Sequence, residues 1–129
     1  MGMDSRGAQE SSSRSAVEFA ALVAEVRGTP VVTVTGEIDL SSTPRFKTAL
    51  SEAMPGGGAV DRLVVDLNRV DFIDSTGLGV LIGKYRDLGA TGRELRIVMV
   101  EGGPVSRILQ MTGLENVLQT YTSREAALE

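Results

Sequence analysis

Residues 66–79 read DLNRVDFIDSTGLG, from Asp66 to Gly79, and their reading decides the fold. They continue a short apolar run, Leu63 to Leu67, of the kind found in a strand covered on both faces. The segment Asn68–Thr76 then reads as an acid-rich loop. Ser75 stands where a helix opens, because Leu78, Leu81, Ile82, Tyr85 and Leu88 recur at helical spacing and form one apolar stripe. Gly89 and Gly92 end that helix. A strand, a loop and a helix in this order form the repeating unit of a parallel α/β sheet.

The same unit recurs on both sides. Downstream, Leu95 to Val100 reads as a strand. Pro104 starts a short helix with Val105, Ile108, Leu109 and Met111 on its apolar face, and Gly113 stops it. Val117 to Tyr121 reads as an edge strand, and Thr122 with Glu125 as the capping box of a terminal helical turn. Upstream, Thr43 reads as a cap and Pro44 as the first residue of a helix. That helix carries Phe46, Ala49, Leu50 and Ala53 on one side and stops at Pro55 and Gly56. Val31 to Thr35 is β-branched throughout, and residues 17–26 supply its hairpin partner across a turn at Arg27–Pro30. The order is β-β-α-β-α-β-α-β-α, which predicts an α/β fold: one mixed, mostly parallel β-sheet covered by helices. The single domain is expected over 16–129. Residues 1–15, rich in Ser, read as a disordered N-terminal extension.

Composition narrows the chemistry. A chain of 129 residues with 42% hydrophobic and 23% charged residues buries one core without staples. Its net charge is −4 and its sequence pI about 4.9, which opposes nucleic-acid binding. It has no Cys and no His. Thiol nucleophiles, Cys-ligated metals and imidazole-activated hydroxyls are therefore excluded. No stretch is long and apolar enough to span a membrane, residues 1–15 lack a signal-peptide core, and Arg6 stands where a myristoylation signal needs Ser or Thr. No membrane partner, no metal and no cofactor are expected, and a cytoplasmic location fits a chain without cysteine.

Ser75 is the group with most chemical potential. A helix N-terminus carries free N–H groups and a partial positive charge, and so suits an anion. A phosphate on Ser75 would be held by the N–H groups of Gly77 and Leu78, with Gly77 allowing close approach. Two plainer readings stand beside this one: Ser75 as an ordinary N-cap, and Gly77, Gly79 and Gly83 as contacts for close helix–sheet packing. Asp39 and Asp74 fit caps or turns as well as partner contacts. Arg69, Lys84 and Arg86 read as a solvated face.

The run VDFIDSTGLGVLIGKYRDL, residues 70–88, resembles the signature of STAS domains of the anti-sigma factor antagonist type. A second match is Gly36-Glu37-Ile38-Asp39 after a β-branched strand. A weaker one runs from Val105 to Leu114. The resemblance spans roughly residues 17–122. It implies a protein that, unmodified, binds an anti-sigma factor serine kinase and thereby frees a sigma factor for transcription. Phosphorylation of the Ser after the Asp, here Ser75, ends that complex, and a PP2C-type phosphatase restores it. Thr76 is the minor alternative acceptor. Asp39, Asp74, Ser75, Thr76, Gly77 and Leu78 are the implied partner-binding residues. Such a chain is no enzyme and has no catalytic residues of its own. Asp39, Asp71 and Asp74 are expected near Ser75, where phosphorylation adds about −1.5 to −2 charges.

Three rival readings share parts of the pattern. A non-phosphorylated STAS scaffold or transporter-accessory module keeps the fold without the switch. A dinucleotide-binding enzyme would use Gly77, Gly79 and Gly83 with Glu101, but the glycine spacing is off by one and the preceding loop is long and acidic. A phospho-aspartate receiver needs acids after the first strand, where Val26, Arg27 and Gly28 supply none.

Overall fold

A computed structural model describes residues 18–54 and 60–129. The N-terminal extension, the domain start at residue 16 and most of the glycine-rich segment after Pro55 lie outside them. The elements are β1 (Ala20–Val26), β2 (Thr29–Ile38), α1 (Thr43–Ala53), β3 (Arg62–Ile73), α2 (Ser75–Gly89), β4 (Glu94–Val98), α3 (Pro104–Thr112), a 3-10 turn (Leu114–Asn116), β5 (Gln119–Tyr121) and α4 (Arg124–Leu128). The strands form one sheet in the order β1-β2-β3-β4-β5. The β1–β2 pair is antiparallel and every other pair parallel, as the element order predicts. No helix among the described residues is long and apolar enough to cross a membrane.

Alternation along the strands gives the sheet two unequal faces. Val32, Val34, Ile38, Leu63, Val65 and Ile97 pack with Phe46 and Leu50 of α1, Leu81 and Leu88 of α2, and Val105 and Leu109 of α3 into the main core. Their neighbours Val31, Val64 and Val98 point the other way and, among the described residues, pack with Ala127 and Leu128 of α4, with Val26 and Tyr121 at the rim. Arg124 fastens that small helix. Its guanidinium donates two hydrogen bonds to the buried Asp66 carboxylate, at 3.1 and 2.8 Å, and one to the Thr33 hydroxyl at 2.8 Å. Arg96 and Arg62 donate to the carbonyls of Ala127 and Leu128 at the helix's other end. Arg124→Ala leaves the Asp66 charge without its partner in a largely dry site. It is expected to cost about 2 kcal/mol, below the usual figure for a fully buried pair because Arg124 is itself partly exposed. The urea midpoint checks this, and an unchanged midpoint would refute it.

Several boundaries differ from the sequence reading. Residues 68–73 are strand, not loop: β3 continues through them with register shifts against β2 between Thr33 and Thr35 and between Gly36 and Glu37. Each shift inserts a residue into β3 and breaks the alternation that identifies a strand. The hairpin turn is only Arg27 and Gly28, both at positive φ, so Thr29 and Pro30 belong to β2. Helix α1 has Ser42 at its N-cap, and the Thr43 hydroxyl donates to Leu40 O instead. Helix α4 is capped by Ser123, whose hydroxyl accepts from Ala126 N, not by Thr122. Strand β4 ends at Val98, and Met111 on α3 is 84% exposed rather than in the core.

Candidate functional site

The carboxyl ends of β2 and β3 build the region around Ser75. In a largely parallel sheet these ends share one edge, where loops leading into helices carry binding groups. Strand β2 ends at Ile38 and the chain turns at Asp39. One carboxylate oxygen of Asp39 accepts from Ser41 N at 3.0 Å, the Ser41 hydroxyl at 2.8 Å and Ser42 N at 3.2 Å. The Ser42 hydroxyl donates to Glu37 O at 2.9 Å and accepts from Asp39 N at 2.9 Å, which locks the turn. Asp74 N donates to Ile38 O at 3.1 Å and ties this turn to the start of α2.

Asp74, not Ser75, caps α2. Its backbone is extended, and one carboxylate oxygen accepts from Thr76 N at 2.9 Å, Gly77 N at 3.1 Å and the Thr76 hydroxyl. Leu78 N donates to the Asp74 carbonyl at 3.0 Å. The anion position at this helix end is thus filled by the protein's own carboxylate. The Gly77 and Leu78 N–H groups expected to hold a phosphate are both engaged.

Ser75 is the first helical residue and is exposed. No hydrogen bond among the described residues involves its hydroxyl. Thr76 is half-buried and its hydroxyl is committed to Asp74. The two adjacent hydroxyls therefore differ in availability, and the difference follows from which residue caps the helix.

Gly77 and Leu78 are buried. A Cβ on Gly77 would lie 2.6 Å from Ile38 Cγ2 and 2.8 Å from Ile73 Cγ1, so the missing side chain seats α2 on the sheet. Close packing is the reading of the glycines that holds here. It does not extend to Gly79 or Gly83, where a Cβ would meet nothing within 4 Å.

The acids are charged at neutral pH. The Ser41 hydroxyl, foremost, and backbone N–H groups hold the Asp39 carboxyl below its ordinary value despite partial desolvation. The Thr76 hydroxyl does the same for Asp74, joined by the Gly77 and Thr76 N–H groups and opposed by desolvation and the charge of Asp39. A lowered folded pKa stabilises the fold above the ordinary carboxylate range, and that contribution disappears as pH falls through the folded value. Asp39 is near enough for Asp74 to feel its charge. Asp71 lies exposed within β3 and joins none of these hydrogen bonds.

Exposed apolar side chains near the strand ends are absent from the sequence reading. Leu40 is 74% exposed after β2, Phe72 47% near the end of β3, and Val100 51% beyond β4. Large apolar groups left in water at strand ends suit a protein partner. The available signal is a Leu or Phe placed next to an Asp where the apolar alternation has ended.

Residues 20–127 match the family described as STAS domain. The anti-sigma F factor antagonist of Paenibacillus polymyxa is 31% identical over 102 residues, 79% of this chain and 86% of that protein. The crystal structure of an anti-sigma factor antagonist from Mycobacterium paratuberculosis superposes with a TM-score of 0.77 at 30% identity, covering 86% of this chain and 92% of that one. The Bacillus cell fate determinant SpoIIAA, solved in its phosphorylated form, superposes with a TM-score of 0.59 at 28% identity, covering 83% and 96%.

Proposed function

This chain belongs to the STAS domain family, and on that premise we propose that it is an anti-sigma factor antagonist switched by phosphorylation of Ser75. Unmodified, it binds an anti-sigma factor serine kinase and frees the sigma factor. The kinase supplies ATP, metal and base, and Ser75 is the group acted upon. A PP2C-type phosphatase reverses the step. The observation that carries this reading is the contrast between two neighbouring hydroxyls: Ser75 exposed and, among the described residues, unengaged, Thr76 bound to Asp74. A relative solved in its phosphorylated form supports it further.

Asp39, Asp74, Leu40 and Phe72 supply the rest of the contact surface. Gly77 and Leu78 act beneath it, holding Ser75 in place. A cytoplasmic location and a domain over residues 16–129 complete the proposal.

The test is incubation of the full chain with its cognate kinase and ATP. One phosphate is expected on the wild type and on Thr76→Ala, and none on Ser75→Ala. Labelling of Ser75→Ala would move the acceptor elsewhere. Binding in ADP without any phosphate transfer would favour the non-phosphorylated scaffold or transporter-accessory reading.

A further inference from the structure

The two edges of the sheet are built differently. Proteins ordinarily blunt an edge strand by making it short, charged or proline-bearing. Strand β5 is three polar-tipped residues, Gln119, Thr120 and Tyr121. Strand β1 has seven, AALVAEV, with Glu25 its single charge and neither Lys nor Pro. Among the described residues it pairs with β2 alone. Leu22 is 70% exposed on one of its faces and Val23 40% on the other.

The turn at Arg27 and Gly28 determines which backbone groups face outward. In a two-residue hairpin the closing pair, here Val26 and Thr29, exchanges both hydrogen bonds. Alternation then aims the N–H and C=O of Ala24, Leu22 and Ala20 at β2. Those of Ala21, Val23 and Glu25 are left pointing away from the sheet.

We propose that a second copy of this chain docks on this edge, β1 against β1, antiparallel and centred on Leu22. The two sheets become one. In this register Ala21 stands opposite the second copy's Val23 and Glu25 opposite its Phe19, so outward-facing groups meet outward-facing groups. Leu22 meets its own counterpart on the face that carries α4, and the most exposed apolar side chain of the strand leaves water. On the helix-covered face, Arg45 lies over the Phe19 ring at 5.1 Å. Glu25 of each copy is thereby brought beside Arg45 of the other. A register centred on Val23 would set Glu25 against Ala21 and Phe19 against Arg27, without that complementarity. One strand pair is a small interface of the transient class, so the dimer is expected to be weak and to need high protein concentration.

Sedimentation velocity of the full chain over a micromolar-to-millimolar series tests the dimer. The expected mass rises from 13.6 kDa towards twice that value. Leu22→Lys sets two like charges face to face. Val23→Pro deletes an outward N–H while sparing the bonds to β2. Each is expected to raise the dissociation constant at least about tenfold, the effect of one lost favourable strand contact or more, with circular dichroism unchanged. Glu25→Arg is expected to weaken the dimer and Glu25→Arg with Arg45→Glu to restore it. A monomer at every concentration, a dimer indifferent to Leu22→Lys and Val23→Pro, or a failure of the double reversal to restore pairing overturns the proposal. None of these outcomes depends on whether Ser75 is phosphorylated.

Discussion

Ser75→Glu is expected to weaken binding to the anti-sigma factor about 60-fold, while Ser75→Gln and Ser75→Ala stay within a few-fold of wild type. The free protein tolerates the new charge, because Ser75 faces water and the solvent screens its repulsion with Asp74. The cost arises on docking. At an assumed separation of about 5 Å, two like charges repel by about 0.8 kcal/mol in water and about 3.3 kcal/mol at the effective dielectric of a covered protein surface. The difference, about 2.5 kcal/mol, is about 60-fold in affinity. Asp74 is the near charge: the Thr76 hydroxyl and two N–H groups keep it ionised at neutral pH, and it occupies the helix end that would otherwise neutralise an incoming anion. Phosphoserine, with up to twice the charge of Glu, exceeds this loss. Titration calorimetry in ADP of the three variants separates charge from bulk. Equal affinities for Ser75→Glu and Ser75→Gln would refute electrostatic release.

The features that a local signal carries were legible in the sequence. The helical stripe from Leu78 to Leu88, the Pro-led starts of α1 and α3 and the β-branched run of β2 each state their own periodicity. With the order of elements they fix a mixed sheet, and the structure has that sheet. Features set by tertiary pairing were not legible. Residues 68–73 lose strand alternation because register shifts against β2, between Thr33 and Thr35 and between Gly36 and Glu37, reset it, and only the neighbouring strand reveals the pairing. Ser42, Asp74 and Ser123 displace Thr43, Ser75 and Thr122 as caps by one residue, a shift that composition does not resolve when several capping residue types stand in a row. At Ser75 that single-residue shift changes the chemistry. A capping Ser would have its oxygen tied to the backbone, whereas one position later the hydroxyl has no hydrogen-bond partner among the described residues.

Gly77→Val is expected to be the most damaging substitution near the site, destabilising the fold by about 3 kcal/mol. Gly77→Ala is expected to cost about 1–2 kcal/mol. The surroundings of the missing side chain set this cost. A Cβ at Gly77 falls within 3 Å of branch carbons on Ile38 and Ile73, both almost wholly buried. Neither can swing aside without disturbing the core, so α2 must lift from the sheet. Lifting strains the bond from Asp74 N to Ile38 O and displaces Ser75 with the helix end that carries it. Helix propensity acts in the opposite direction, favouring Ala over Gly by at most about 1 kcal/mol. Gly79→Ala and Gly83→Ala isolate that opposing effect, since their Cβ atoms meet nothing within 4 Å. Both are expected to raise stability by up to about 1 kcal/mol. Urea denaturation of the four variants, with phosphorylation rates measured on the same samples, distinguishes a packing glycine from a phosphate-accommodating one. A packing role lowers stability and phosphorylation together in the Gly77 variants. A Gly77→Ala protein as stable as Gly79→Ala, yet slow to be phosphorylated, would mean that the glycine serves the incoming phosphate and not the sheet beneath it.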